Sequence, residues 1–585
     1  MLRSTRRLAS LIGSLVLGTA LPVTTTAVAL TLMVGCKDES QPEYWVEKLE
    51  DAAWRARSIK RLDTFFEDAL TQSNKDLRAA PVQELINKTV EPLTKAYVEY
   101  GDSLDSKSRV TLIKILSGYK DKRAEPAFKK AFDDFAKMPR TAKDDQDIRW
   151  AAIAVGEMKL ESLAGPMVEA FSKLRASSML GGVTYKDYNS AMLQIQSKSW
   201  TGPLIAKLQA EVVRPKAGME KDAVGDYMDQ QFWQTTAASL LGKIGDPAAV
   251  QPLIRVVLDP QKVDFHSTAV VALIQLGKPA TQAAARLLGG EDQELTAFCL
   301  QKIKDAQAGV EAKGKPCVQT AAIIIGSVGS QDGIAPMLQV LNAETTDEAT
   351  RAVVARELSK LPATPESTAA FKRAYESLSL ETQIPPGQPA LEVLTEAAGQ
   401  FYDPSMVDWL LGHAQGINGD ADDRKALQQV ATVTALKLAK PEQLPTVRRA
   451  VASYGTQLEK GLLAQAESLL KACGDRAPCY VEAIQKPENQ KPATQFTAIK
   501  AGYMAGILGN EQTRDEIVDR LDGVENAAAR FVAAQAIDHL SPKGAKAAVT
   551  KMEAIIDKNA KSPDRDKAMG DAPLRQVMFR VASRS

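Results

Sequence analysis

The sequence predicts an all-α superhelix, an α-solenoid built from repeated pairs of amphipathic helices. Ala, Leu, Lys, Glu and Gln dominate the 585 residues, and these residue types have high helix propensities. No long stretch alternates Val, Ile, Thr or Tyr with polar residues as half-buried strands do. A motif with a small residue, an apolar run and a proline recurs through most of the chain. Such self-similarity is typical of repeat arrays.

The first residues are typical of an export signal. Three arginines lie within residues 1–7, and residues 8–35 contain no charged residue. The apolar run ends in the residues Leu-Met-Val-Gly directly before Cys36, and polar residues follow. This ending resembles the lipobox of bacterial lipoproteins, in which the signal is cleaved before the cysteine and the thiol is diacylated. The resemblance implies that Cys36 is lipidated and becomes the first residue of the mature chain.

An uncleaved membrane anchor is the alternative for this segment, because the apolar run is long enough to span a bilayer. Pro22 and the threonines at 24–26 make it a poor spanning helix, which favours the lipoprotein. Lys37 stands where many inner-membrane lipoproteins have Asp. By that resemblance the outer membrane is favoured over the inner one, with acyl chains as the membrane contact.

The charge balance argues against nucleic acid as a partner. The formal net charge is +1, and removal of the three N-terminal arginines with the signal takes it to −2. A nucleic-acid-binding protein needs a basic face to neutralise phosphates. A protein partner is compatible with this balance.

The repeat is clearest at residues 236–258. Asp246 is the expected N-cap of a new helix, and Pro247 its first residue, where a missing N–H costs nothing. Proline does not fit inside a helix. We therefore expect a single helical turn at Pro247–Val250 and a second helix that begins at Pro252. The small residue Gly242 is expected to let a neighbouring helix approach closely.

These copies resemble HEAT repeats, particularly the short variety of phycobilin-lyase-like proteins. The resemblance implies that first helices form the convex layer and second helices line a concave binding surface. Other second helices are expected to begin near Pro166, Pro203 and Pro336. Further copies, some of them degenerate, begin at or near these residues: Arg109, Ala151, Phe265, Ala322, Arg351, Ala398, Lys425, Tyr503 and Ala527.

The chain divides into five predicted segments. Six stretches rich in Gly, Pro and charge interrupt the helical pattern and are either contact loops or tolerated insertions: 175–187, 214–227, 308–316, 380–389, 416–423 and 486–495. The segments are a signal peptide at 1–35, a flexible tether at 36–43, a helical N-terminal cap with degenerate repeats at 44–140, the HEAT-like array at 145–557, and a tail with a short capping helix at 558–585.

Four cysteines remain besides the lipidated one, an even number that suits an oxidising compartment. Cys473 and Cys479 flank a short polar loop, and Cys299 and Cys317 flank a loop rich in Lys and Gly. Local pairing is the favoured one of three possible connectivities. There is no CxxC motif and no histidine near either pair, which argues against a metal or redox site.

No catalytic constellation is evident in the sequence. His266, His413 and His539 lie in separate repeats, whereas a catalytic triad needs its members together in space. No cofactor is expected. Lys173 and Arg255 are expected to project from second helices, and they are the candidate partner-binding residues.

The favoured function is therefore a scaffold: a membrane-tethered envelope lipoprotein, not an enzyme, that binds a protein on its concave face. One alternative is a lyase-like or other enzyme-associated protein, which rests on fold analogy alone. Another is a glycan- or peptidoglycan-binding protein. The partner and the oligomeric state stay open.

Overall fold

The computed structural model describes residues 38–139, 146–174, 183–215, 221–306, 314–561 and 571–584. Cys36 and the predicted signal lie outside these residues. Two short antiparallel strands, β1 (Gln383–Ile384) and β2 (Gln388–Pro389), form a hairpin in the predicted break at 380–389. The helices are α1 Pro42–Glu47, α2 Arg55–Gln72, α3 Ala80–Tyr100, α4 Ser106–Tyr119, α5 Glu125–Lys137, α6 Gln146–Met158, α7 Ala164–Phe171, α8 Val183–Ile195, α9 Thr201–Gln209, α10 Lys221–Ile244, α11 Val250–Leu258, α12 Val263–Leu276, α13 Lys278–Leu288, α14 Gln293–Ala306, α15 Pro316–Val328, α16 Ile334–Asn342, α17 Glu348–Leu358, α18 Pro365–Glu376, α19 Ala390–Ala398, α20 Met406–Gly416, α21 Ala421–Leu438, α22 Leu444–Tyr454, α23 Gln457–Cys473, α24 Ala477–Gln485, α25 Gln495–Leu508, α26 Glu511–Arg520, α27 Ala527–His539, α28 Lys546–Ala560 and α29 Ala572–Ser583.

The helices alternate between two layers, which confirms the predicted all-α superhelix. Each first helix packs against the first helix of the next pair, from α2, α4 and α6 through to α25 and α27. The second helices, among them α3, α5, α9 and α11, form the other layer. One helix pair cannot bury its own apolar face, so the pairs stack and share a continuous core.

Small residues set the spacing between first helices, as the motif predicts. A Cβ atom on Gly156 of α6 would lie 2.7 Å from the Cα atom of Ala191 on α8. A Cβ atom on Gly242 of α10 would lie 2.7 Å from the Cα atom of Ala272 on α12. Backbone atoms cannot yield to such contacts, so any side chain here would push neighbouring repeats apart.

The second helices begin earlier than the sequence predicts. Asp246 is an N-cap, and its carboxylate accepts a hydrogen bond from the backbone N–H of Ala248 at 3.0 Å. However, α11 begins at Val250, so Pro252 is its third residue. The first N–H groups of a helix have no intrahelical acceptor, and proline in the first turn therefore breaks no bond. Pro166, Pro203 and Pro336 are likewise third residues, in α7, α9 and α16.

Three of the predicted breaks are shorter than expected, because helices extend into them. One is the break at 416–423, in which α21 begins at Ala421. Helix α8 begins at Val183, inside the predicted break at 175–187. Helix α10 begins at Lys221 and includes the last residues of the predicted break at 214–227. The resulting α10 is 24 residues long, about ten residues longer than its neighbour α12.

The C-terminal helix closes the array onto its own middle, which the sequence prediction of a simple end cap missed. Helix α29 packs against α27 and α28, but also against α12 and α15. Arg580 is buried, and its guanidinium group donates to the carbonyl oxygens of Gly326 at 2.7 Å and Lys360 at 2.6 Å. Arg584 donates to the carbonyl oxygen of Gly329 at 3.0 Å. Both arginines thus satisfy carbonyl groups near the ends of first helices more than 200 residues away.

Asp538 of α27 holds these two arginines in place. Its carboxylate oxygens lie 2.9 Å from Nη2 of Arg580 and 3.0 Å from Nη1 of Arg584. Burial alone would raise the pKa of Asp538, but the two guanidinium groups together lower it. The carboxylate is therefore ionised at neutral pH and compensates part of the buried positive charge.

A second contact joins the C-terminal pairs to the middle of the array. The ammonium group of Lys500 on α25 is fully buried and donates to the carbonyl oxygens of Lys437 at 3.0 Å and Ala439 at 2.5 Å. These carbonyls end α21, where the helix dipole favours a cation. Burial nevertheless lowers the pKa of Lys500 to about 7. Nearby, the rings of Tyr402 and Tyr503 stack with centroids 5.3 Å apart.

The packing of α29 on the middle of the array predicts a large loss of stability for Arg580→Ala. The substitution removes the donor of several buried carbonyl groups and one partner of Asp538. We expect the free energy of unfolding to fall by roughly 3 kcal/mol, measured by chemical denaturation. Arg575→Ala on the same helix is the matched control, because its half-buried side chain forms no hydrogen bond or ion pair within the described residues. Equal effects of the two substitutions would contradict the closure.

Candidate binding surface

The second-helix layer carries a groove where α9, α11 and α14 meet, which we call the α11 groove. Its volume is about 480 Å³. Apolar side chains form its floor, and cationic side chains stand on its walls. The lining residues are Leu208, Gln209, Glu211, Val212, Pro252, Arg255, Val256, Asp259, Gln261, Lys262, Phe298 and Lys302.

Arg255 lies on α11, as predicted, with a quarter of its side chain exposed. Its guanidinium carbon lies 4.7 Å from the ring centroid of Phe298 on α14, a favourable cation–π distance. The guanidinium group also pairs with Glu294, whose side chain is 74% exposed. An ion pair this open to solvent contributes about 0–1 kcal/mol. A carboxylate from a partner could therefore replace Glu294 at little cost.

Two lysines add positive charge to the α11 groove. The Lys302 ammonium lies 3.1 Å from the carboxylate of Asp259, which is buried. Lys262 lies deeper, and its ammonium donates to the carbonyl oxygens of Leu208 at 2.6 Å and Ala210 at 2.9 Å, at the end of α9. Burial lowers the pKa of Lys262 to about 8. Lys302 is thus the lysine best placed to meet a partner.

Helix α14 is an additional helix between two repeats, which the repeat pattern of the sequence does not predict. Of its residues, all of which the structure describes, Leu295 and Cys299 are buried. The sulfur atom of Cys299 lies 2.18 Å from that of Cys317 near the start of α15. The disulfide therefore ties a weakly packed helix to the start of α15. The long interval between the repeat copies at Phe265 and Ala322 is the sequence feature that could have indicated this additional helix.

The structure separates the two predicted partner-binding residues. Lys173 does not project from a second helix, contrary to the prediction, because α7 ends at Phe171. The backbone N–H of Lys173 donates to the carbonyl oxygen of Ala170 at 3.0 Å, which closes a tight turn. Its side chain is half-buried in that turn. Arg255 remains the candidate that the structure places on a groove.

Residues 233–259, which span the end of α10 and α11, match the family model of the PBS lyase HEAT-like repeat. The chain is an α-solenoid of HEAT-like repeats. No curated protein matches the chain. Among solved structures, the crystal structure of an engineered protein aligns with 92% of this chain and 98% of its own, at 14% identity and a TM-score of 0.19.

The second cysteine pair is also local, as predicted. Cys473 is the last residue of α23, and Cys479 lies in the first turn of α24. Their sulfur atoms lie 2.02 Å apart, and their Cα atoms 5.4 Å. This disulfide holds the turn between the two helices of one HEAT-like repeat.

Among the described helices, none is long and apolar enough to cross a bilayer.

The three histidines stay in separate HEAT-like repeats, and each has its own local contacts. His266 lies 3.0 Å from the carbonyl oxygen of Asp259. His413 packs edge-on against Tyr375, and burial lowers its pKa. His539 stacks on Tyr402 with centroids 4.3 Å apart, and burial lowers its pKa to about 4. The structure brings none of them together with another histidine.

The positions of the cysteines predict two disulfides of unequal effect on stability. Non-reducing peptide mapping should recover Cys299 linked to Cys317 and Cys473 linked to Cys479. By the loop-entropy relation, the 18-residue separation corresponds to about 3 kcal/mol and the 6-residue separation to about 2 kcal/mol. The pairwise substitutions to Ala, compared by denaturation, should follow that order. Free thiols in protein isolated without reductant would contradict the pairing.

Proposed function

We propose that this protein is a lipid-anchored scaffold of the bacterial cell envelope, and that it binds a protein partner on its second-helix face. The anchor rests on the resemblance of the residues before Cys36 to a lipobox, and the outer membrane is the favoured site. Stable anchoring needs more than one acyl chain, which diacylation supplies. The binding surface rests on the α11 groove, and above all on Arg255.

The chemistry of the α11 groove favours an extended, acidic segment of the partner. An apolar floor that includes Val212, Pro252 and Val256 offers area for apolar side chains. Arg255 and Lys302 stand beside this floor, and both currently meet carboxylates of the protein itself, Glu294 and Asp259. Arginine near an aromatic ring is a common anchor of protein interfaces. A partner segment with alternating apolar and acidic residues would fit these features.

Two alternatives have less support. The match to the PBS lyase HEAT-like repeat covers 27 residues and concerns a repeat, so it carries no activity. Glycan binding favours exposed aromatic rings, and Trp409 on the second helix α20 is half-buried. Its indole N–H donates to Glu376 at 2.7 Å, and the Lys372 ammonium lies 5.3 Å from its ring centroid. The ring is thus already engaged within the protein.

The anchor predicts acylation at Cys36. Cells grown with a fatty acid analogue should label the wild-type protein and leave Cys36→Ala unlabelled. The variant should also leave the membrane fraction, because no acyl chain would hold it there. Equal labelling of the two proteins would refute the lipoprotein assignment.

The binding surface predicts that Arg255→Glu together with Lys302→Glu reduces partner recovery. Co-purification from gently solubilised membranes should yield about tenfold less partner, because like charges would then meet the acidic segment. Arg424→Glu with Lys425→Glu on the first helix α21 is the matched control and should retain the partner.

A third variant tests the enzyme alternative. Replacement of His266, His413 and His539 by Ala should leave partner recovery and cell phenotype unchanged. Loss in this variant alone would overturn the scaffold proposal. All variants need equal thermal unfolding midpoints for the comparison to hold.

A further inference from the structure

The segment that joins the proposed lipid anchor to the array is very short. The indole N–H of Trp45 donates to the carbonyl oxygen of Glu39 at 2.7 Å. The backbone N–H of Gln41 donates to the carbonyl oxygen of Asp38 at 3.0 Å, and α1 begins at Pro42. The backbone is therefore tied to the folded array from residue 38 onward. The flexible tether predicted at 36–43 is correspondingly reduced.

This connection limits the distance between the array and a bilayer. Glu39 follows Cys36 by three residues, and three extended residues span at most about 11 Å. The headgroup layer of one leaflet is itself about 5–8 Å thick. Acyl chains on Cys36 would lie in the hydrocarbon, so α1 would lie within or directly on the headgroup layer.

The surface at this end of the array contains cations beside aromatic rings. We call Tyr44, Trp45, Lys48, Trp54 and Arg57 the N-terminal cluster. The Lys48 ammonium lies 5.9 Å from the ring centroid of Tyr44 and 5.6 Å from that of Trp54. The Arg57 guanidinium lies 5.5 Å from Trp45 and 5.2 Å from Trp54. Arg57 is exposed, Tyr44 and Trp54 are half-buried, and Trp45 is buried.

Lys48 and Arg57 contact aromatic rings, and neither forms an ion pair within the described residues. The segment as a whole is acidic, because residues 38–57 contain six Asp and Glu residues against Lys48, Arg55 and Arg57. Two nearby carboxylates are instead paired with lysines of α3: Glu43 lies 2.8 Å from Lys88, and Glu50 lies 2.9 Å from Lys95. Tryptophan and tyrosine rings beside cationic side chains are typical of the membrane–water interface.

We propose that the N-terminal cluster lies on the membrane and contacts lipid headgroups. This inference rests on the acylation proposed for Cys36. Trp54 and Tyr44 enter the headgroup layer, and Lys48 and Arg57 meet lipid phosphates. The first helix pair is thereby held against the bilayer, and the array extends from it. The α11 groove lies several helix pairs further along.

Trp54 reports this contact directly. The full, acylated protein is reconstituted into vesicles of phosphatidylethanolamine and phosphatidylglycerol that contain a lipid with a spin label at the headgroup. We expect the spin label to quench tryptophan fluorescence of the wild-type protein. The Trp54→Phe substitution should reduce this quenching by roughly half or more, because the five other tryptophans lie in the packed array or are buried. Trp409→Phe on α20 is the matched control and should quench like the wild type.

A charge variant tests the headgroup contact separately from the ring. Lys48→Glu with Arg57→Glu should reduce the quenching, whereas Arg424→Glu with Lys425→Glu should not. Trp54→Phe that quenches like the wild type overturns the inference. Fatty acid labelling separates the two proposals: labelling without quenching refutes only the membrane contact, and absence of labelling refutes both.

Discussion

The close approach of successive first helices is the constraint on which the architecture depends. Gly156 faces Ala191 and Gly242 faces Ala272 at distances that admit no further carbon atom. These contacts set the spacing from one helix pair to the next, and with it the continuity of the shared core. The second layer follows from this spacing, because each second helix packs on the first helices beneath it. The position of the α11 groove is thus a consequence of small residues elsewhere.

Buried cations at helix ends give the array its higher-order contacts. Lys262 caps α9 within the array. Lys500 caps α21, and Arg580 on the C-terminal helix reaches carbonyl groups in the last turn of α15 and just after α17. A helix end leaves carbonyl groups without partners, and a cation satisfies them while it complements the helix dipole. Desolvation opposes this, as the lowered pKa values of Lys262 and Lys500 indicate. Such contacts are specific because the cation is costly to bury anywhere else.

Two regions of the array have different roles in the proposed function. At the N-terminal end, the Trp45–Glu39 hydrogen bond leaves little free chain between the array and an acyl anchor. Further along, α14 is packed mainly through Leu295 and a disulfide, and it forms one wall of the α11 groove. A scaffold needs a fixed base and an accessible binding surface. Both features arise from local departures from the repeat pattern, where the HEAT-like motif is interrupted.

The sequence by itself determined the fold class, the helix pairs with their N-cap at Asp246, the local cysteine pairs and the place of Arg255 on a second helix. These features depend on short-range periodicity, capping and loop length, which neighbouring residues encode. The tertiary structure alone decided that α29 packs on the middle of the array, that α14 covers α11, and that Lys173 lies in a turn. The first two depend on contacts between residues far apart in the chain, whereas the third follows from the end of α7 at Phe171. Arg580 and Gly326 are separated by 254 residues, and no local pattern records that distance.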